Sequence, residues 1–141
     1  MVKVQLRERV DAPASEVWRL FVTDRAEELV VSLFAKGLAM DETAEGVVRT
    51  TLLPDGRIVR ERLDFIDNEN FTCRYTVIER GPLPYKSYRG GIRLEPLGDD
   101  ACYVNLHSDF EPLGMGDEEA AAFYRKFNLD GVNKIRELLG D

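Results

Sequence analysis

Four polar side chains, Arg49, Glu61, Tyr75 and Tyr88, fall in segments whose other residues are largely apolar. Protein interiors rarely hold such groups unless they are paired or hold something else. An acid and a phenol converging on one chamber can do two kinds of chemistry. The Glu can act as a general base while a Tyr donates a proton, or both can orient the oxygens of a bound molecule. Other chemistries are not signalled. The chain has no G-x-S-x-G, H-E-x-x-H, G-x-G-x-x-G or P-loop spacing, one histidine (His107), and two cysteines, Cys73 and Cys102, without C-x-x-C spacing. No oriented nucleophile, metal site, disulfide framework or cofactor is therefore expected. Both cysteines read as strand interior, where a thiol behaves as a small hydrophobe.

These residues must be held by the elements around them. Residues 2–10 alternate in polarity and stop at Asp11-Ala12-Pro13, which reads as a strand entering a helix over Ala14 to Val22. Thr23-Asp24, with Glu27 three residues after Asp24, reads as the N-cap of a second short helix ending near Leu33. The period then changes to two. Strands are expected near 35–41, 46–53, 57–67, 70–80, 86–97 and 101–111, joined by short turns as an antiparallel meander. Asp117 is the expected N-cap of a last amphipathic helix to Leu139, about 34 Å long at 1.5 Å per residue. The expected fold class is α+β: seven curved antiparallel strands wrapped around a long C-terminal helix, with two short helices between strands 1 and 2. One domain over 1–141 is expected.

Parity along the strands decides which side chains face inward. Val59, Glu61, Leu63 and Phe65 form one inward set; Phe71, Cys73, Tyr75 and Val77, then Tyr88, Gly90, Ile92 and Leu94, then Cys102, Val104, Leu106, Ser108 and Phe110 form the others. His107 shares the outward parity of Asn105 and Asp109 and reads as a surface residue. The third strand is ambiguous by parity. A three-residue hairpin at Pro54-Asp55-Gly56 would set Arg49 directly across from Glu61, whereas a two-residue Asp55-Gly56 turn would shift the register by one. Such a pair is either a structural salt bridge or a polar anchor for a ligand, and it can be both. Tyr75 and Tyr88 read as core aromatics or as the wall of a partly wet pocket. Asn128 on the last helix reads as surface or pocket-lining, and Gly131 after it either leaves room or permits close packing. Mid-strand Gly90-Gly91 suggests a bend or a close approach.

The chain's charge narrows its partners. Nineteen basic and 26 acidic residues leave a net charge of −7, opposite to what a phosphate backbone or an anionic membrane surface requires. No nucleic acid and no stable membrane insertion are expected, and with neither a long apolar run nor a secretory h-region the protein is expected in the cytoplasm, as a monomer or homodimer.

Val10-Asp11-Ala12-Pro13-Ala14-Ser15-Glu16-Val17-Trp18, Gly46 to Arg49, Glu61-Arg62-Leu63-Asp64 with Asp67, Gly81-Pro82-Leu83-Pro84, Tyr88-Arg89 and Lys126-Phe127-Asn128-Leu129 together resemble the helix-grip superfamily. That superfamily includes START lipid-transfer domains, the major birch pollen allergen, polyketide cyclase/dehydrase-like proteins and the plant abscisic acid receptors. The resemblance spans essentially the whole chain. By similarity to the abscisic acid receptors, the cavity acid falls on Glu61, its basic neighbour on Arg49, aromatics on Tyr75 and Tyr88, the helix amide on Asn128, and their carboxylate-binding lysine on Lys36. Entrance loops fall on Leu53 to Arg57 (Leu53, Pro54, Gly56) and Gly81 to Tyr85 (Pro82, Leu83, Pro84). The second loop has Gly-Pro-Leu-Pro in place of the receptors' His-Arg-Leu motif, which argues against hormone signalling.

The function expected is binding or transport of a hydrophobic small molecule, such as a lipid, a polyketide or an aromatic. The alternative is a cyclase, aromatase or dehydratase with Glu61 as base and Tyr88 as donor. A nearby Arg49 opposes the second, since a guanidinium favours an ionised partner over a proton shuttle. A third possibility, an interaction subunit, predicts a solid core beneath the last helix.

Overall fold

Alternation of apolar and polar residues builds a seven-stranded antiparallel sheet whose hollow side faces one long helix; the computed structural model describes residues 1–140. The elements are β1 (Val2–Val10), α1 (Ala14–Phe21), α2 (Ala26–Leu33), β2 (Gly37–Thr43), β3 (Gly46–Leu52), β4 (Ile58–Asp67), β5 (Thr72–Glu79), β6 (Tyr85–Leu97), β7 (Ala101–Pro112) and α3 (Asp117–Leu139). The strand order is β1-β7-β6-β5-β4-β3-β2, a meander from β2 to β7 with β1 beside the last strand. This is the helix-grip arrangement expected from the sequence.

Helix ends follow local hydrogen bonding more than composition. Pro13, which has no N–H to lose, precedes α1 and accepts from the amides of Glu16 and Val17 at 3.0 and 3.2 Å. The cap of α2 is Arg25, not Asp24, because the Asp24 carboxylate is taken by Arg19 Nη2 at 2.8 Å. Glu27 likewise turns away, accepting from the Leu38 amide at 3.1 Å. Gly116 rather than Asp117 caps α3; Asp117, Glu118 and Glu119 lie in its first turn, where carboxylates complement the helix dipole. β2 starts two residues later than expected because the Phe34 and Ala35 amides still close on the Val30 carbonyl at the end of α2.

Two irregularities between β4 and β5 set the inner face. Asp64 is an extra residue: Leu63 pairs with Tyr75 and Phe65 with Arg74. The bulge reverses parity beyond it. Phe65, expected inward, is 40% exposed and lies beneath the Arg74 guanidinium, 4.4 Å from its ring centroid, while Ile66 packs on the core. Asp64 is held by Arg62 Nε at 2.6 Å and the Thr76 hydroxyl at 2.5 Å. A second shift between Arg60 and Glu61 leaves Glu61 opposite Val77. Pairing of β5 with β6 ends at Thr76 and Arg89, so the sheet is split from there to the loop joining the two strands.

The core comes in two parts. One gathers Val10, Val17, Leu20, Cys102, Val104, Val132 and Ile135 beneath α1 and the second half of α3. The other gathers Val2, Val4, Tyr85, Tyr88, Phe110, Ala120 and Tyr124 beneath its first half. Tyr75 touches both.

Candidate functional site

The β3–β4 hairpin aligns the first two polar groups. Gly56, in a left-handed conformation at φ 91°, closes a three-residue turn in which its N–H reaches the Leu53 carbonyl at 3.0 Å. The resulting register puts Arg49 across from Glu61, as the hairpin predicted. Arg49 Nε donates to Glu61 Oε1 at 3.0 Å, Nη2 lies 2.9 Å from the same oxygen, and Nη1 donates to the Phe21 carbonyl at 2.9 Å. Burial draws the Arg49 guanidinium down, but Glu61 and its surroundings outweigh this and hold it above its usual value. Both side chains are mostly buried, at 12% and 15% exposure. No described residue donates a hydrogen bond to Glu61 Oε2.

Aromatic groups continue the site from Glu61. The Tyr75 centroid lies 5.8 Å from the Arg49 guanidinium carbon and 6.3 Å from Tyr88, with the two rings stacked. Tyr88 Oη and Ser108 Oγ are 2.5 Å apart, and Asn128 Nδ2 on α3 donates to the same Ser108 oxygen at 3.5 Å. Asn128 is thus half-buried and turned to the sheet. Burial pushes the Tyr88 phenol up to about 12, partly offset by its hydrogen bond to Ser108. The Tyr75 phenol stands well above its usual value, through burial first and Tyr88 second.

These groups border two adjoining chambers between sheet and α3. The first, about 150 Å³, is lined by Phe21, Leu29, Arg49, Asn128 and Gly131 among others. The second, about 130 Å³, is lined by Val59, Leu83, Tyr85, Tyr88 and Tyr124. Glu61, Tyr75, Thr51, Phe34 and Phe127 belong to both walls. Each volume is roughly that of a cavity able to take a benzene-sized ring. An added Cβ on Gly131 would meet nothing within 4 Å, so this glycine leaves room rather than admitting a neighbour. A third hollow of about 360 Å³ between Phe34, Leu53, Pro54, Asp55, Leu83 and Phe127 leads outward. Phe34 and Phe127, 39% and 43% exposed with centroids 5.5 Å apart, form its rim.

The structure thus brings together Arg49, Glu61, Tyr75, Tyr88 and Asn128. Lys36 is not among them. It is exposed in the bend after α2 and lines none of the chambers described. Of the loop residues, Leu53, Pro54 and Leu83 line the outer hollow; Gly56, Pro82 and Pro84 shape the turns without lining it. His107 is exposed on the outer face, as expected. Residues missed as site members were Thr51 and Ser108, buried at 5% and 2%, and the aromatics Phe34, Tyr85, Tyr124 and Phe127. A hydroxyl on an inward parity was the available signal for Ser108; the aromatics are indistinguishable from core by pattern.

With this geometry in hand the chain can be placed. It belongs to the polyketide cyclase / dehydrase and lipid transport family, whose profile matches residues 1–139. It is 33% identical over 67 residues to pathogenesis-related protein 1 of Asparagus officinalis, an alignment covering 45% of this chain and 42% of that protein. Its fold is similar to that of the protein XoxI from Bacillus cereus, with TM-score 0.77, 20% identity and coverage of 100% and 97% of the two chains. It also resembles norcoclaurine synthase from Thalictrum flavum in complex with dopamine and hydroxybenzaldehyde, with TM-score 0.63, 18% identity and coverage of 96% and 84%. At these identities the two solved structures speak for the fold. Among the described residues no helix is long and apolar enough to cross a membrane.

Proposed function

We propose that the protein binds a hydrophobic small molecule bearing a few polar groups in the two chambers between sheet and α3. One observation carries this reading: Glu61, its Oε1 held by Arg49, keeps Oε2 free of any donor in the wall shared by both chambers. The Glu61 side chain is 15% exposed and lines both chambers, so a ligand hydroxyl or amine there can donate to its unshared oxygen. Family membership supports small hydrophobic ligands in general terms, and the aromatic rim of Phe34 and Phe127 suits the entry of a flat apolar guest. Lys36 takes no part.

Native mass spectrometry of gently purified protein, followed by calorimetric titration with 2-naphthol, tests the proposal. We expect one equivalent bound by the wild type and a loss of about tenfold in Glu61→Ala. An empty protein that ignores lipids, flavonoids and naphthols alike would overturn it.

A second reading is catalysis, since Glu61 and Tyr88 face one chamber and the family includes cyclases and dehydrases. The guanidinium on Oε1 makes the pair a fixed dipole rather than a lone acid in an apolar pocket, which favours binding. Turnover abolished by Glu61→Gln with affinity retained would reverse the order.

A further inference from the structure

The convex face of the sheet, away from both chambers, carries an open hollow of about 510 Å³ that the binding reading does not use. Arg7, Arg74 and Arg93 line it together with Thr72, Asn105 and His107, and no carboxylate does. In a chain with 26 acidic against 19 basic residues, that lining runs against the average. The ladder brings these side chains together. Arg74 on β5 pairs with Gly91 on β6, and Gly91 pairs with His107 on β7. Thr72, Arg93, Asn105 and Arg7 form the adjoining row of the same face. The His107 ring takes the space that a Gly91 side chain would fill, since an added Cβ there would stand 2.7 Å from its Nε2. The imidazole thus leans across β6 toward the strand that carries Arg74.

Positive charge is left over here. Glu95 Oε1 accepts from Arg7 Nη1 at 2.7 Å, from Arg93 Nη2 at 3.0 Å and from Asn105 Nδ2 at 3.0 Å, so one carboxylate serves two guanidiniums. Arg74 lies over the Phe65 ring, and no described carboxylate pairs with it. A guanidinium stacked on a ring is held in place with its N–H edge still able to donate. A small anion feels such a local excess more than the chain's distant acids, which salt screens beyond about 8 Å. We infer that this hollow binds a phosphoryl compound carrying at least two negative charges, gripped by Arg74 and Arg93 with His107 and Thr72 as further donors. The two arginines are diagonal neighbours across the β5–β6 ladder, about 7–8 Å apart, a spacing that suits a diphosphate better than a single carboxylate. The phosphoryl group can belong to a soluble phosphate ester or to a lipid headgroup.

Titration of isotope-labelled protein with sodium pyrophosphate at fixed ionic strength, followed by amide NMR, tests this. We expect saturable shifts centred on Gly91, Arg93 and His107. Arg74→Gln and Arg93→Gln should each weaken binding about fivefold, whereas Arg57→Gln, in the β3–β4 turn, should leave it unchanged. Arg74 and Arg93 are both exposed, so these variants should fold as the wild type does, which the amide signals far from the hollow report. Co-sedimentation with phosphatidylcholine vesicles containing phosphatidic acid separates the two sources. Capture that pyrophosphate displaces and Arg74→Gln weakens would assign a lipid headgroup; saturable pyrophosphate binding without capture would assign a soluble ester. Shifts scattered over basic side chains at large, no saturation, or equal affinity in all variants would overturn the site and leave the reading of the two chambers intact.

Discussion

The ring of Tyr75 fills the space where a side chain on Gly90 would be. The two residues pair across the β5–β6 ladder, and an added Cβ on Gly90 would lie 2.5 Å from the Tyr75 hydroxyl oxygen and 2.6 Å from the ring carbon bearing it. Gly90 is thus a seat for Tyr75, which the sequence signalled only as a glycine pair in mid-strand. Gly90→Ala should push the Tyr75 ring toward Glu61 and the shared wall. We expect a stability loss of about 1–3 kcal/mol by urea unfolding and weaker 2-naphthol binding by calorimetry. A variant that kept both would mean that the ring moves freely.

The Arg49–Glu61 pair predicts an asymmetric response. Arg49→Met leaves a mostly buried carboxylate with no counter-charge and should cost about 3 kcal/mol, whereas Glu61→Gln retains an acceptor for Arg49 and should cost less. The double variant should be less damaged than the sum of the two, by at least about 1 kcal/mol in a double-mutant cycle. Additive losses would show that the pair is not coupled.

Gly131 offers a way to close the first chamber. It is a buried residue in the middle of α3 with open space around its missing side chain. Gly131→Ala should stabilise the protein by about 1 kcal/mol through helix propensity alone. Gly131→Leu should add burial, raise the melting temperature and abolish 2-naphthol binding. A Leu variant that still binds with wild-type affinity would place the ligand elsewhere.

Alkaline pH should destabilise the protein. Burial lifts Tyr88 from 10.0 to about 12 and lifts Cys73 and Cys102 from 9.0 to about 11, and it raises Tyr75, Tyr85 and Tyr124 as well. A folded-state value above the unfolded one means that the native chain keeps protons the unfolded chain has released. This contribution is fully present below pH 9 and is lost as the pH rises through about 11 to 12. The urea midpoint should therefore fall steeply across that window, in step with phenolate absorbance. A flat midpoint to pH 12 would show these side chains to be solvated.

Much of this was legible in the chain, for identifiable reasons. Pro54-Asp55-Gly56 fixed the hairpin register and with it the Arg49–Glu61 pairing, because turn geometry is set by a few residues. Parity named Tyr75, Tyr88 and Ser108 as inward. It failed at Phe65 because a bulge at Asp64 adds one residue without any mark in the hydrophobic pattern. It was silent on β3 because both faces there are buried, Val48 at 1% and Thr51 at 5%. Lys36 was transferred from a resemblance, and a side chain's direction at the end of a short helix depends on where that helix stops. Tyr124 and Phe127 shared the apolar stripe of α3, and helical spacing does not distinguish a residue touching a core from one touching a hollow.

The early end of β5–β6 pairing at Thr76 and Arg89 has a consequence for the margins of the sheet. A gap within a sheet leaves two short strand margins facing each other instead of facing neighbouring molecules. Two prolines, Pro82 and Pro84, sit in the link between them and cannot donate to an added strand. The breach in the wall is thus bounded by strand margins that face each other, while the sheet's outer edges are β1 and β2.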